Sequence, residues 1–141
     1  MQVIGALRKF WRLPVHRRAL LLEASATLAM VSAALPLLPF KRVIRLGSVP
    51  LREASEHTAK EVVSAIEMAG RRLPWRIVCI HKGLAAQRML RRRGLDARLH
   101  YGIGSRPDRD GLAAHVWVSL HGVPVIGGEE SHGFAPVGAF P

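Results

Sequence analysis

One stretch of the chain decides the fold: residues 75–90, with the sequence WRIVCIHKGLAAQRML. Pro74 breaks the chain before it, and the apolar periodicity that starts at Cys79 predicts a helix from that residue to Gly94. Gly83 lies one turn further along the same ridge, where a small residue permits close packing against a sheet. The helix therefore begins, on its buried side, at the only cysteine of the chain.

Cys79 is a candidate nucleophile because of its position rather than its residue type. A lone cysteine is usually a small buried apolar group. At the first turn of a helix, however, unpaired N–H groups and the positive end of the helix dipole favour the thiolate, which is the nucleophilic form. His115, on a predicted strand, is the candidate base, and the backbone N–H of Cys79 would help to bind an oxyanion.

Apolar and basic residues recur with helical spacing through the first third of the chain. They predict three helical segments, at residues 3–11, 15–34 and 41–46. The second is expected to end before Pro36, and Gly47 closes the third. A fourth helix, from near Ser55 to around Gly70, shows a conventional apolar face. Because these helices carry no obvious reactive group, residues 1–47 are expected to form a packing or docking platform.

The second half of the chain alternates with the period of half-buried strands. Three short strands are predicted, at residues 97–103, 115–120 and 123–126. His121 and Gly122 suit a two-residue hairpin between the last two. Residues 104–111 and 127–141 lack such periodicity and are expected to be irregular. The pattern therefore predicts an α+β fold, with the Cys79 helix packed on a small antiparallel sheet.

Composition narrows the class of protein. A chain of 141 residues is long enough for one domain with a real core. With 21 Lys and Arg against 10 Asp and Glu, the net charge of +11 suits nucleic acid, an anionic membrane surface or an acidic peptide. The single cysteine excludes an internal disulfide and favours a reducing compartment, the cytoplasm. The histidines lack the spacing of a zinc site, so no metal is expected.

Residues 24–40 are mostly apolar and raise the question of a membrane span. They are fewer than the roughly 20 residues that a bilayer core requires, and two prolines break their end. A buried or interface-seeking helix is therefore expected, and contact with a membrane surface stays open but is not favoured.

Three motifs carry a resemblance to a known family: LPW at 73–75, MLRRRG at 89–94 and AHVWV at 114–118. Together with the run from Leu13 to Phe40, they resemble the transglutaminase-like cysteine peptidases that mature lasso peptides. The resemblance spans nearly the whole chain. It implies a single domain over residues 1–141, in which a papain-like or transglutaminase-like core at 48–141 follows the helical region 1–47.

The resemblance also implies a reaction and partners. Cys79 would attack the amide that joins leader to core in a ribosomally made precursor peptide, with His115 as its base. Family members commonly work with a small leader-binding protein and with a separate asparagine-synthetase-like cyclase. The cyclase uses ATP, and no cofactor is expected in this chain. The helices ending at Leu46 are the candidate surface for docking the leader-bound partner, with simple packing on the core as the alternative.

The strand after the histidine strand departs from the family pattern. Members usually place an acid, commonly Asp, on that strand, but residues 123–127 read VPVIG and offer no carboxylate. Glu129 or Glu130 could complete a triad from just beyond it. Asp108 and Asp110 are weaker substitutes, and a Cys–His dyad without an acid also remains open.

Two tryptophans complete the candidate site, and two other functions stay open beside the peptidase. Trp75 and Trp117 are the candidate substrate-binding residues, although core packing is the default for Trp117 and lining the site next to His115 is its second role. A non-catalytic basic module that binds nucleic acid or a membrane surface is the alternative from another class. A transglutaminase-type acyltransferase would use the same acyl-enzyme and differ only in the nucleophile that resolves it. For the peptidase, no nucleic-acid partner is expected.

Overall fold

The computed structural model describes residues 2–52, 58–106, 109–129 and 131–141. Five helices precede the strands: α1 (Gln2–Arg12), α2 (Val15–Leu37), α3 (Phe40–Val43), α4 (Ala59–Arg72) and α5 (Cys79–Arg91). Four strands follow: β1 (Ala97–Arg106), β2 (Arg109–Leu120), β3 (Val123–Ile126) and β4 (Phe134–Phe140), with a short 3-10 turn at Ser131–Gly133. All neighbouring strands are antiparallel, in the order β3-β2-β1-β4. The predicted α+β class is therefore confirmed.

The helix that begins at Cys79 is the centre of the fold, as the sequence predicted. α5 packs between the helices α2 and α4 on one side and the sheet on the other, and its residues Leu84, Met89 and Leu90 are fully buried. Gly83 approaches the sheet closely: a Cβ added there would lie 2.6 Å from Cγ1 of Val116. The absence of a side chain at this position therefore sets the distance between helix and sheet.

We expect Gly83→Ala to destabilise the protein by about 1–3 kcal/mol, because the new methyl group overpacks the interface with Val116. Gly5→Ala is the matched control, since Gly5 lies in a helix and a Cβ added there would meet nothing within 4 Å. Thermal melting of both variants checks the expectation. A Gly83→Ala protein as stable as the Gly5→Ala protein would contradict this packing.

Arg88 and the arginines of the MLRRRG motif connect the end of α5 to α2 and to the segment that follows α3. Arg88 donates to the carbonyl of Leu46 over 3.0 Å, and Arg91 donates to the carbonyl of Val49 over 2.6 Å. Arg93 pairs with Glu23 of α2 through both guanidinium nitrogens. These arginines fix the chain that follows α3 and the middle of α2 against the end of α5, so the motif is structural.

Several helix boundaries differ from the sequence prediction, among them the end of α2, the end of α3 and the start of α4. α2 continues through Pro36 to Leu37, because a proline removes only its own N–H bond and the amide of Leu38 still reaches the carbonyl of Ala34 at 2.9 Å. α4 begins at Ala59 rather than near Ser55, which lies outside the described residues. Thr58 caps this helix, accepting a bond from the amide of Glu61 in a capping box.

The segments predicted to be irregular contain strands. β1 and β2 extend to Arg106 and from Arg109, so most of the predicted loop 104–111 is a paired hairpin whose residues 107 and 108 lie outside the description. The predicted irregular tail forms β4, which pairs with β1. Proline is tolerated there because β4 is an edge strand. The buried amide of Gln87 donates to the carbonyl of Phe140 over 2.8 Å and so secures the end of β4 to α5.

α2 combines core packing with an apolar composition. It buries five apolar residues in the core: Leu20, Leu21, Ala24, Leu28 and Val31. Among the described helices it has the length and hydropathy of a membrane span, and 33% of its most apolar window is buried. Core helices of soluble proteins and signal sequences satisfy the same criteria.

Candidate active site

A cleft of about 870 Å³ opens between the helices and the end of β3. α4 and the first turn of α5 form one wall, and the chain from β3 to the 3-10 turn forms the other. Cys79 and His115 both line this cleft. The structure thus brings to one concave site the two residues that the sequence proposed as nucleophile and base.

Cys79 is the first residue of α5 and is half-buried. Val78 before it is extended, with φ −118° and ψ 178°, so the chain enters the helix at the cysteine. The Nδ1 atom of His81 accepts a hydrogen bond from the amide of Val78 over 3.1 Å. The thiol therefore lies at the positive end of the helix dipole, where an anion is favoured.

His115 is held firmly in β2. Its side chain is 1% exposed and packs against the rings of Trp117 and Phe134, with centroids 6.0 Å and 5.1 Å away. Its Nε2 atom lies 2.8 Å from the carbonyl oxygen of Gly127. Because a carbonyl only accepts, Nε2 carries the proton in this bond, and Nδ1 is the basic nitrogen of the neutral ring.

Side chains of β2 point alternately to the two faces of the sheet, and this alternation determines where the imidazole of His115 meets the cleft. Val116 faces α5, opposite Gly83, so His115 and Trp117 project from the other face of the sheet. β3 ends at Ile126, which pairs with Val118. The cleft therefore extends to His115 past the end of β3, at the edge of β2.

Gly127 is a site residue that the sequence analysis missed. Its φ of +73° is in the left-handed region, and an added Cβ would lie 2.9 Å from the carbonyl of Val116 and 3.2 Å from Cβ of Trp117. Only glycine fits this turn without strain. The turn directs the Gly127 carbonyl to His115. The carbonyl thus lies at the end of the strand on which family members usually carry an acid. The Gly127-Gly128 pair directly after β3 was the available signal.

The predicted acids are spread around the site or lie outside the description. Glu129 is exposed and lines the cleft, whereas Asp110 is exposed and is not among the residues of its wall. Glu130 and Asp108 lie outside the described residues. The role of an acid in orienting His115 stays a prediction, and the carbonyl of Gly127 lies within hydrogen-bond distance of Nε2.

The two tryptophans have different surroundings. Trp117 is 8% exposed and stacks on both His115 and His100, so it supports the imidazole from behind. Trp75 is 42% exposed, and its indole N–H donates to the hydroxyl of Ser32 on α2 over 2.9 Å. Trp117 thus adjoins the candidate base, whereas Trp75 lies outside the wall of this cleft.

Charged groups also line the cleft, and no sequence motif indicated that they would meet there. Lys82, in the first turn of α5, pairs with Glu67 of α4 over 2.8 Å. His132, in the 3-10 turn, is exposed on the opposite wall. No cluster of three or more metal-ligating side chains occurs among the described residues.

His81 couples the start of α5 to pH. Burial lowers the pKa of His81 below its ordinary value of 6.5. Between the lowered value and about 6.5 the unfolded chain binds more protons than the folded one, so stability falls as the pH falls. Protonation also removes the acceptor that caps Val78. The pKa of His100 is also lowered, by burial and by the charge of Arg98.

We therefore expect the protein to lose stability between about pH 7 and pH 5, and His81→Gln to lose less. Glutamine at this position can bond back to the amide of Val78 without titrating. Urea unfolding at the two pH values, with His132→Gln as an exposed control, measures the difference. Equal pH dependence in wild type and His81→Gln would show that His81 contributes nothing.

Comparison with known proteins agrees with this architecture. The family model described as the transglutaminase-like superfamily matches residues 19–139. Searches of curated proteins and of solved structures returned no match. The superfamily includes cysteine proteases and acyltransferases. From α2 to β4, then, with Cys79 at the start of the central helix and His115 in the sheet, this chain belongs to the transglutaminase-like superfamily.

Proposed function

We propose that this protein is a cysteine peptidase that removes the leader from a ribosomally synthesised lasso-peptide precursor. The observation that carries the proposal is the position of Cys79 at the N-terminus of α5, in a cleft that it shares with His115. The superfamily match supports cysteine chemistry of this kind. The resemblance of the LPW, MLRRRG and AHVWV motifs supports the lasso-peptide substrate.

The reaction follows from the groups in the cleft. The Cys79 thiolate attacks the carbonyl carbon of the leader–core amide, and the protonated His115 gives its proton to the departing amine of the core. The leader is then held as a thioester on the sulfur. His115 takes a proton from water, the hydroxide oxygen attacks the thioester carbonyl, and the leader leaves with a carboxylate while the thiol is restored. The amides of the first turn of α5 stabilise the oxyanion at each addition.

The carbonyl of Gly127 takes the orienting role in this scheme. In the proposed scheme Nε2 stays protonated against this carbonyl, and Nδ1 exchanges protons with substrate and sulfur. A carbonyl carries no full charge, so it stabilises the imidazolium less than a carboxylate would. The scheme thus includes a backbone acceptor for His115, and an orienting acid beside it stays a prediction.

We expect Gly127→Ala to lower kcat by about tenfold or more, because strain at positive φ and the contact with Val116 displace the carbonyl. Gly122→Ala is the matched control: Gly122 has φ +80° but nothing within 4 Å of an added Cβ. Glu129→Gln and Glu130→Gln test the predicted acid: a carboxylate that orients His115 should lower turnover without abolishing it when it is replaced. A large loss in either Gln variant, with Gly127→Ala unaffected, would assign the orienting role to that carboxylate.

The proposed partners are the precursor peptide, a small leader-binding protein and an asparagine-synthetase-like cyclase that uses ATP. Genes for these three beside the gene of this protein would support the assignment directly. In a reconstituted reaction, the leader-binding protein should raise the rate mainly through substrate capture, and so lower KM more than it raises kcat. Cleavage unchanged by that protein would contradict the expected division of labour.

Two outcomes would redirect the functional assignment. If an added primary amine diverts the leader into an amide product, the acyl-enzyme is resolved by amines and the protein is an acyltransferase. If the precursor and related peptides are left intact and Cys79 reacts no faster than a simple thiol, the protein is a non-catalytic binding module. Mass spectrometry of the same reaction mixture distinguishes peptidase, acyltransferase and inert protein.

A further inference from the structure

The first helix is set apart from the rest of the fold. α1 buries none of its residues, and only Phe10 is partly covered. α2 and α3 differ, since they and the turn after α3 contribute Leu28, Val31, Val43 and Ile44 to the core. Packing against the core therefore explains the apolar residues of α2 and α3. It does not explain the apolar residues of α1, which remain exposed.

α1 has a sharply divided surface. Val3, Leu7 and Trp11 follow one another at intervals of four residues and are 70%, 52% and 68% exposed, with Ile4 beside them at 65%. Arg8, Lys9 and Arg12 occupy the other side. An exposed apolar face next to a cationic face is the pattern of a helix that lies in the interface of a bilayer.

The charge around this helix has one sign. Arg8, Lys9, Arg12, Arg17 and Arg18 all precede Glu23, which is the first acidic residue of the chain. The guanidinium of Arg18 lies 5.1 Å from the centroid of the Trp11 ring, which places a cation at the border of the apolar face. Tryptophan and arginine at such a border suit the headgroup region of a membrane.

We propose that α1 binds the surface of an anionic membrane, with its apolar face among the acyl chains and its cations at the lipid headgroups. A single convex helix needs no preformed groove in a bilayer, whereas a protein partner must offer one. Val15 and Leu22 of α2 are also exposed apolar residues, at 72% and 60%. The binding would hold the protein at the membrane surface without inserting the core.

Vesicle sedimentation with the full chain tests the proposal. The probes are vesicles of phosphatidylglycerol mixed with phosphatidylcholine, and vesicles of phosphatidylcholine alone. We expect binding to the anionic vesicles, weakened by salt, and little binding to the neutral ones. The double variant Ile4→Asp/Leu7→Asp should bind the anionic vesicles about tenfold more weakly or worse, because both apolar side chains are lost from the interface.

The matched control is Leu112→Asp/Val137→Asp, which changes two residues that are 84% and 61% exposed on the strands. It should bind vesicles nearly as well as wild type. Absence of binding by wild type, or equal weakening in both double variants, would overturn the proposal. Binding of α1 to a protein would also overturn the proposal. If Ile4→Asp/Leu7→Asp leaves vesicle binding intact but abolishes stimulation by the leader-binding protein, α1 is a protein-docking helix. Cleavage by the isolated chain should be unchanged, so failure here is distinguishable from failure of the peptidase assignment.

Discussion

Replacing Cys79 by alanine is expected to lower the rate of leader removal by at least about 10⁴-fold, because no thioester can form without the sulfur. The fold should persist, since Cys79 is only half-buried and alanine is a good helix former at the start of α5. Mass spectrometry of the precursor over time measures the loss, and circular dichroism confirms the fold.

Thiol labelling offers a second test of Cys79. Because the chain contains one cysteine, all thiol reactivity of the protein belongs to Cys79. Iodoacetamide should alkylate wild type at neutral pH faster than it alkylates a short cysteine peptide, and should abolish cleavage in step with labelling. A Cys79→Ala protein that turns over its precursor at the wild-type rate would end the peptidase proposal.

Replacing His115 by glutamine is expected to reduce kcat by about 10²- to 10⁴-fold, through loss of the proton carrier. Glutamine is preferred to alanine because His115 is buried against Trp117 and Phe134, where truncation would leave a cavity. The amide N–H of glutamine can still donate to the carbonyl of Gly127. The experiment therefore separates the chemistry of the imidazole from its packing.

His132→Gln is the matched control, because His132 lines the same cleft but is exposed. It should retain most of the wild-type kcat. The reverse result, with His132→Gln inactive and His115→Gln active, would assign the base to the 3-10 turn and show that the strand histidine is structural.

Local signals predicted the elements that hold the candidate site. The break at Pro74 and the apolar ridge that includes Gly83 placed the start of α5 at Cys79, where the structure has it. The hairpin at His121 and Gly122 is confirmed, with φ of 50° and 80°. Both are short-range features, because a helix start and a two-residue turn are set by neighbouring residues.

The features that the sequence did not predict, β4 and the contact between Gly127 and His115, depend on contacts between separate segments of the chain. β4 was predicted to be irregular because Gly138 and Pro136 hide the alternation. Pairing with β1 and the bond from Gln87 to Phe140 define the strand instead. The contact of Gly127 with His115 joins residues from two parts of the chain through a backbone carbonyl, which no side-chain motif reveals. The surroundings of the base therefore depend on which segments meet in the folded chain, in addition to the residue types within each segment.

Covalent capture by a leader peptide tests the central claim most directly. A peptide that carries the leader sequence and ends in a chloromethyl ketone in place of the scissile amide should alkylate Cys79, as located by tandem mass spectrometry. Its labelling should be much faster than that of a scrambled leader with the same reactive group, and should slow in His115→Gln. Labelling at equal rates by the true and scrambled leaders, or failure of the true leader to label Cys79, would contradict the account.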